Sequence, residues 1–319
     1  DPNFGQFKSD IEFAEHINEV YERYNYPSTI FASSAKNNQD NLLSISKVLK
    51  NTAMPLWMSV QSMTEDVLEN IKRKNISVDA MLSVQENMRD ATQGTQSEVI
   101  MCLPGETFES HVESICQLMD AGMDKIVTYQ LMLLDGTEMK LDESKLNQYG
   151  FVKKYRVIPR SFSDLNYAGK SIELEEIVIA TNTFSFEEYI KARVLHLVLA
   201  VMYNGGPFGG FFKIAREYKI NLKEFLFLLL DNFSKHPKLS ELYKNFVEET
   251  NNELFDNDSD ALAFYLKEEN FEKLVNGEAG KNLLQSYACS AYISHTNDLI
   301  DLLKDTLKKV SLNIIPDRM

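Results

Sequence analysis

Apolar and polar positions follow two alternating patterns along the first half of the chain. Short apolar runs, each the length of a buried strand, are separated by segments whose apolar residues recur every three to four positions, which is typical of a helix packed on one face. Predicted strands cover 29–32, 56–60, 95–103 and 126–134. Predicted helices cover 10–24, 42–49, 78–88 and 108–119, and another begins after Thr64, a favourable N-cap residue. Strands separated by helices in this way imply parallel β-α units with right-handed crossovers, either in a doubly wound sheet or in part of a barrel.

The pattern changes after residue 150. Residues 151–163 are basic and extended, with Lys153, Lys154, Arg156 and Arg160 around a proline, and they predict a segment that crosses between two regions. Helical spacing dominates beyond it, at 189–203, 222–233, 239–250, 261–266 and 296–310. We therefore divide the chain into a β/α region at 1–150, a basic crossing segment at 151–182 and a helical C-terminal domain at 183–319.

Local signals mark the ends of the first helix of that domain. Ser185 and Glu188 have the spacing of a capping box, which satisfies backbone N–H groups at a helix start. The run Asn204-Gly205-Gly206-Pro207 is expected to end the same helix.

Charge and cysteine content narrow the classes of partner. The 319 residues include 33 basic and 47 acidic side chains, a net charge of −14, which argues against binding to nucleic acid or to an anionic membrane surface. The three cysteines are scattered, which is typical of a reducing cytoplasm and predicts neither a disulfide framework nor a metal site. The apolar runs are shorter than the roughly 18 residues that a membrane span needs.

The most specific segment is 97–107, an apolar run that begins with an acid and ends in Pro104-Gly105-Glu106. This pattern predicts a buried strand that ends at a tight turn, with Glu98 set among core residues of a β-α unit. A buried carboxylate needs a partner. Two interpretations stay open at this point, a structural ion pair and a carboxylate that holds ligand hydroxyls or an ammonium group.

Other polar residues also fall where predicted strands end, and in parallel β-α folds ligands bind at the carboxyl ends of the strands. Gln61 follows an otherwise apolar strand, and Arg73 lies 12 residues further on, near the end of the next predicted helix. Taken alone, Arg73 would be interpreted as a cation at a helix C-terminus, which the helix dipole favours. The polar positions at strand ends are Ser33 and Ser34, then Ser59, Gln61 and Ser62, then 98–106, then 134–137.

Taken together, these segments resemble the radical S-adenosylmethionine superfamily, and specifically its cobalamin-linked branch. The resemblance covers about half of the chain, in the family's order and spacing. Its segments are 1–5 (Asp-Pro-Asn-Phe-Gly), 35–38, 59–63 leading to 72–77, 103–107 (Leu-Pro-Gly-Glu-Thr), 131–134 with 136–139, and 155–160. The fold that it implies is a parallel β/α partial TIM barrel at 1–150, followed by the mostly helical region that accompanies the barrel in that branch.

The resemblance also implies roles for residues at matching positions. Gln61 and Glu98 would hydrogen-bond the ribose hydroxyls of S-adenosylmethionine (SAM), and Arg73 would bind its methionine carboxylate. Many members place an acid at the end of the third strand for the methionine ammonium, and this chain offers Ser33 there, with Ser59 as a further candidate contact. The chemistry of the side chains agrees, because a guanidinium suits a carboxylate and an acid suits a vicinal diol.

The sequence departs from the family at three places. Cys102 stands where the family usually has glycine, and we interpret it as a small apolar filler of a buried strand. Asp135 replaces the usual proline before Gly-Thr. The family's defining Cys-x3-Cys-x2-Cys motif, whose thiolates hold three irons of a 4Fe-4S cluster, does not occur in these 319 residues, so no metal ligand is assigned.

The first five residues resemble the segment after the second strand of the family's barrel. The chain would then carry strands three to six of a six-stranded partial barrel, with the iron-sulfur cluster loop and any cobalamin domain upstream in the same protein. We accordingly expect a fragment of a longer protein, a cut sequence or an edited one, because a sheet cut there leaves an unpaired strand edge. We expect the chain to be inactive alone because it lacks the cluster cysteines.

Two hypotheses of different class follow. In the first, the chain is part of a cytoplasmic radical SAM enzyme that cleaves SAM reductively for radical chemistry, including cobalamin-dependent methyl transfer, on an organic substrate that the sequence does not identify. In the second, it is a non-catalytic binding or interaction module on a degenerate barrel. No catalytic residue is assigned, and Arg156, Arg160, His196 and Tyr203 cannot be ranked above packing and surface roles.

Overall fold

The computed structural model describes residues 3–35, 38–52, 56–75, 95–204 and 207–314. The helix predicted at 78–88 lies outside these residues. Contacts divide the chain into two compact units, each assembled from several stretches of sequence. The first unit comprises Asp1–Ile100, Ser110–Tyr129 and Met202–Leu222, and the second comprises Met101–Glu109, Gln130–Val201 and Lys223–Met319.

The first unit contains a three-stranded parallel sheet in the order β1-β2-β3. Its strands are β1 (Leu56–Gln61), β2 (Thr95–Met101) and β3 (Lys125–Gln130). The helices along this part of the chain are α1 (Ser9–Tyr24), α2 (Gln39–Val48), α3 (Glu65–Asn70) and α4 (Phe108–Asp120). The mixed α/β class and the parallel sheet are therefore confirmed, whereas the numbering of the strands within a partial barrel stays a prediction.

Of the strand predicted at 29–32, Thr29 is a β-bridge residue, and residues 30–32 lie outside the named strands. A parallel bridge close by joins Phe4 and Ser34, and the Phe4 N–H donates to the Ser33 carbonyl at 2.9 Å. The helices on either side are packed together through a small apolar core. Its buried members are Phe4, Ala14, Ile45 and Leu49. These contacts hold the bridged segment against α1 and α2.

Burial alternates along β2 and gives the sheet two unlike faces. Thr95, Ser97, Val99 and Met101 are buried, whereas the residues between them, including Glu98, are only half-buried. Successive side chains of a strand point to opposite faces. Glu98 therefore lies on the less buried face of β2, where it is half-buried between the buried residues Ser97 and Val99.

The edge of this sheet at β3 is covered by a side chain. The amide of Asn204 donates to the Ile126 carbonyl at 2.7 Å and accepts from the Ile126 N–H at 2.8 Å. An amide side chain bonded in this way imitates one residue of a further strand, which satisfies backbone groups that an edge strand leaves exposed. The residue predicted to end a helix thus also stabilises β3.

The second unit contains an antiparallel hairpin of β4 (Val152–Asp164) and β5 (Lys170–Ala180). Residues 151–163 are extended, as predicted, but they pair with a second strand that the sequence analysis did not predict. The stretch after β3 pairs with this hairpin too, because the Leu133 N–H donates to the Glu176 carbonyl at 2.9 Å. The segment 126–134 was predicted as one strand. In the structure it leaves the parallel sheet after Gln130, and Met132 forms an antiparallel bridge with Ile177 of β5.

Helices make up most of the chain beyond the hairpin, as predicted. The capping box of Ser185 and Glu188 is confirmed at the start of the first one. That helix ends in a π-helical turn, Leu199–Tyr203. The helices are α5 (Glu138–Leu141), α6 (Glu143–Gln148), α7 (Phe186–Val198), α8 (Gly209–Glu217), α9 (Leu222–Lys235), α10 (Leu239–Asn252), α11 (Asp258–Tyr265), α12 (Glu268–Val275) and α13 (Leu283–Ile314), the last with a kink at His295.

Among the helices in the ranges given above, none combines the length and the apolarity needed to cross a bilayer.

Candidate functional site

A row of polar side chains crosses the three strands of the first unit on the more open face of the sheet. Ser59 on β1 and Glu98 on β2 are partners in the parallel register. The Ser59 hydroxyl donates to Oε2 of Glu98 at 2.5 Å. Tyr129 on β3 is close enough to Glu98 for the negative charge of that carboxylate to raise the pKa of its hydroxyl. The hydrogen bond from Ser59 therefore joins β1 and β2 at Glu98.

Tyr129 was not predicted from the sequence. Its position inside an apolar run favoured a core role, yet 42% of its surface is exposed. The pKa of Tyr129 is raised, first because its ring is partly withdrawn from water and then because ionisation would place a second negative charge beside Glu98. The hydroxyl thus stays protonated and able to donate. The signal that could have found it is the alternation of faces along β3 relative to Glu98.

Arg73 reaches the same place from the segment after α3. Nη2 of its guanidinium donates to the backbone carbonyl of Ser59 at 2.5 Å. Its buried Nε has no hydrogen-bond partner within the described residues. Burial lowers the pKa of Arg73, and the negative charge of Glu98 opposes that shift. Arg73 is thus a charged donor beside Glu98 with part of its hydrogen-bonding capacity unused.

The interpretation of Arg73 as a helix C-terminal cation is not what the structure shows. Helix α3 ends at Asn70, and the chain then turns through Lys72, which has a left-handed φ of 54°. This turn brings the guanidinium back to the carboxyl end of β1 instead of to the last carbonyls of the helix. The structure therefore brings Arg73, Ser59 and Glu98 together.

The turn between β1 and α3 is held by three polar side chains that sequence reasoning did not assign. The Ser114 hydroxyl accepts from the Met63 N–H at 2.9 Å, and the Ser62 hydroxyl accepts from the Thr64 N–H at 3.2 Å. The Asn75 amide donates to the Ser62 carbonyl at 2.6 Å. Thr64 occupies the N-cap position, as predicted, but its side chain makes no capping bond. These bonds fix the loop that leads from Gln61 towards Arg73.

Gln61 is the last residue of β1 and has a left-handed φ of 64°, next to a shift of the β1–β2 register. Its side chain is half-buried, and within the described part of the chain its amide makes no hydrogen bond. An L residue in this conformation is strained and usually persists where a site requires it. Gln61 therefore presents an amide at the carboxyl end of β1 that is available to a ligand.

Cys102 follows β2 with a similar left-handed φ of 65°. This conformation explains physically why glycine would suit the position, since glycine alone adopts it without a steric cost. The thiol is fully buried, and burial, followed by the negative charges of Glu106 and Glu188, raises its pKa well above the ordinary value. Such a thiol is a poor nucleophile and a poor metal ligand, which agrees with its interpretation as a filler.

Ser33 stands apart from this group. It is exposed, and its backbone carbonyl is used in the bridge to Phe4. Among the described residues, no hydrogen bond connects its hydroxyl with Gln61, Arg73 or Glu98. Ser33 keeps its sequence-based assignment as a candidate only.

Each of the four further candidates from the sequence is buried or makes a hydrogen bond or an ion pair within the protein. Although burial alone would lower it, the pKa of Arg156 is raised because its guanidinium pairs with the carboxylates of Glu253, at 2.8 Å, and Glu175. His196 is buried within α7, and the Tyr203 hydroxyl donates to the Met123 carbonyl. The Arg160 N–H donates to the Gly280 carbonyl at 3.3 Å.

Metal-binding chemistry has no support in the part of the chain that the structure covers. There, no three or more His, Cys, Asp or Glu side chains are grouped so that they could hold a metal ion. Cys102 and Cys116 are buried, and Cys289 is exposed. The described residues therefore do not fit a role as ligands of an iron-sulfur cluster.

The chain is similar in sequence to two curated methyltransferases, whereas no family model matches it. It is 27% identical over 264 residues to the cobalamin-dependent radical SAM methyltransferase TokK of Streptomyces tokunonensis, a match that covers 78% of this chain and 38% of that protein. It is 28% identical over 210 residues to the 2-(S-pantetheinyl)-carbapenam-3-carboxylate methyltransferase of Streptantibioticus cattleyicolor, covering 64% and 30%. The chain thus spans about a third of the length of these relatives.

Two solved structures are also similar in part. The radical SAM methyltransferase TsrM of Kitasatospora setae, bound to tryptophan and a SAM analogue, matches with a TM-score of 0.37 and 13% identity over 51% of this chain and 31% of that one. The radical SAM enzyme coproporphyrinogen III oxidase (HemN) of Escherichia coli matches with a TM-score of 0.27 and 12% identity over 70% and 77%.

Proposed function

We propose that the first unit of this chain, whose sequence resembles the cobalamin-linked branch of the radical SAM superfamily and is similar to two methyltransferases, supplies part of a SAM site. The whole protein would use that site for methyl transfer to a small organic substrate. The observation that carries the proposal is the hydrogen-bonded group of Arg73, Ser59 and Glu98 at one end of β1 and on β2.

The ribose of SAM is assigned to Glu98 and Gln61. A carboxylate accepts hydrogen bonds at two oxygens, so it can bind both hydroxyls of a vicinal diol. The Gln61 amide, which is held at the strand end by the backbone conformation, can both donate and accept. The two side chains therefore offer a diol a complementary set of donors and acceptors.

The methionine carboxylate of SAM is assigned to Arg73. A guanidinium binds a carboxylate through two parallel N–H···O bonds, and the buried Nε of Arg73 is a donor in need of a partner. Because Arg73 is bonded to the carbonyl of Ser59, whose hydroxyl holds Glu98, the carboxylate and ribose subsites are linked by a fixed geometry. Ser33 stays a proposed contact for the methionine ammonium.

An iron-sulfur cluster and cobalamin belong to the proposed chemistry of the whole protein, and no described residue of this chain is assigned to either of them. Bound SAM supplies a sulfonium whose carbon-sulfur bonds can be cleaved. What this chain would do is bind the ribose and the carboxylate and hold them in one orientation.

Calorimetric titration with SAM tests the proposal. We expect Gln61→Ala and Glu98→Ala to raise the Kd of the intact protein for SAM, about tenfold or more for Glu98→Ala, because a charge-assisted hydrogen bond contributes roughly 1.5–3 kcal/mol. Glu69→Gln, which changes an exposed acid on α3, is the matched control and should leave the Kd unchanged. Equal and negligible binding by the parent protein and both site variants would refute the SAM site and favour a non-catalytic binding module.

A further inference from the structure

Arg193 of α7 carries a buried charge whose hydrogen-bonding groups are not used by the protein. Its side chain is 6% exposed. Among the residues that the structure describes, its buried Nε has no hydrogen-bond partner, and its terminal nitrogens make no hydrogen bond either. The carboxylate oxygen that faces it, Oε1 of Glu253, lies 4.0 Å from Nη2, which is beyond hydrogen-bonding distance. Because buried charged groups are normally paired and hydrogen-bonded, the donors of Arg193 lack a partner that their burial calls for.

The guanidinium of Arg156 explains why the nearby carboxylates do not supply that partner. Arg156 donates from Nε to Oε1 of Glu175, and from Nη1 to Oε1 of Glu253 at 2.8 Å. The oxygen of Glu253 that faces Arg193 is therefore already bonded to Arg156. These two arginines and two glutamates form a cluster whose charges balance, but Arg156 makes both of the hydrogen bonds in it.

The surroundings of Arg193 define the group that can complete it. Its Cζ lies over the ring of Phe246, 5.7 Å from the ring centroid. An aromatic face attracts the charge of a guanidinium, whereas the N–H groups need oxygen acceptors. The cluster is in contact with solvent, since 16% of the Arg156 side chain and 18% of the Glu253 side chain are exposed. A small planar group with two acceptor oxygens can therefore approach the guanidinium.

We propose that Arg193 anchors a further ligand site, in which the carboxylate of an organic acid binds the N–H groups of its guanidinium. A carboxylate pairs with a guanidinium through two parallel N–H···O bonds, which would satisfy donors that the protein leaves unused. The balanced charge of the cluster does not repel such a ligand. The site lies within the second unit and contains none of the residues assigned to SAM, so the proposal does not rest on the proposed function.

Urea unfolding of the intact protein, without any ligand, tests whether the fold itself needs Arg193. Replacing a buried ion by an apolar side chain is often neutral or stabilising, whereas removing the partner of buried charges is strongly destabilising. Arg193→Met should therefore raise the unfolding constant by less than about threefold, or lower it. Arg156→Met, which leaves two carboxylates without their hydrogen-bonded partner, should raise it by about 100-fold or more. A rise of that size for Arg193→Met would show that Arg193 is a counter-ion that the fold requires, and would overturn the proposal.

Nuclear magnetic resonance of the intact protein with isotope-labelled arginine tests the ligand, with acetate as the probe. The Nε–H signal of Arg193, assigned by its loss in Arg193→Lys, should shift saturably as acetate is added. Acetamide, which is planar and neutral, and chloride at equal ionic strength should each shift it by less than about a third as much. The matched control is Arg23, an exposed arginine whose Cζ lies 5.9 Å from the centroid of the Tyr24 ring, and its signal should show no saturable shift.

Two results of the acetate titration would overturn the proposal. The absence of a saturable shift would show that water alone occupies the donors of Arg193. An equal shift with chloride would show a general response to anions and no carboxylate site.

Discussion

Arg73→Ala should weaken SAM binding through one end of the ligand only. Arg73 lies beside Glu98, donates to the Ser59 carbonyl at 2.5 Å and has a buried Nε without a partner among the described residues. Each charge-assisted hydrogen bond to the methionine carboxylate is worth roughly 1.5–3 kcal/mol, so the loss of the guanidinium should raise the Kd for SAM about 10- to 100-fold. Arg73→Lys should recover part of that loss, because it restores the charge and not the planar fork.

The assay is calorimetric titration with two ligands, SAM and 5′-methylthioadenosine. The second ligand keeps the adenine and ribose of SAM and lacks its methionine carboxylate and ammonium. Arg73→Ala should therefore raise the Kd for SAM, whereas the Kd for 5′-methylthioadenosine should change by less than about threefold. Glu98→Ala should raise the Kd for both ligands. Lys74→Ala, which removes a neighbouring exposed positive charge, is the control for a general electrostatic effect.

An equal loss for both ligands in Arg73→Ala would refute this reasoning. It would mean that Arg73 supports the site through its bond to the backbone of β1 and does not contact the methionine carboxylate. An unchanged Kd for SAM would refute the assignment of Arg73 outright.

Three further predictions concern the framework of the protein. Asn204→Ala, which removes both hydrogen bonds to Ile126, should lower the free energy of unfolding by about 1–3 kcal/mol in urea titration, and an unchanged value would show that the edge of β3 does not need this cover. Cys102→Gly should be at least as stable as Cys102→Ala in thermal unfolding, because glycine relieves a left-handed conformation that costs roughly 1–2 kcal/mol, and the reverse order would contradict a strained backbone there. The hydrogen bonds from Ser185 lower the pKa of Glu188, so its cap stabilises the fold above the ordinary glutamate pKa and loses that effect as the pH falls through the lowered value. Glu188→Ala should therefore make the free energy of unfolding less sensitive to acid, and identical pH profiles of unfolding for the parent protein and the variant would contradict this.

Sequence periodicity predicted the helices and strands whose own apolar residues recur with helix or strand spacing. Strands β1 and β2 begin at the predicted residues, and α1, α4, α7 and α10 cover most of the predicted helical segments. These elements bury one face against neighbours, so the pattern reports their packing. The second strand of the hairpin, β5, was missed because its alternating apolar positions lie among charged residues, and its pairing with β4 depends on contacts that the sequence does not display.

The candidate site was predictable in its residue types and not in its geometry. The resemblance implied a common ligand for Gln61, Arg73 and Glu98, but the left-handed turns at Gln61 and Lys72 that orient two of them are not visible in a sequence. Tyr129 was missed because a tyrosine in an apolar run has no signature of its own, and only the order of the strands places it beside Glu98. The three-part division of the chain and the binding roles of these residues stay predictions.

A crystal structure of the intact protein with SAM bound would test the central claim most directly. The account predicts that both ribose hydroxyls lie within hydrogen-bonding distance, about 2.6–3.2 Å, of the Glu98 carboxylate or the Gln61 amide, with the methionine carboxylate on the Arg73 guanidinium. A SAM molecule bound elsewhere, with Glu98 bonded to Ser59 and to no atom of the ligand, would contradict it.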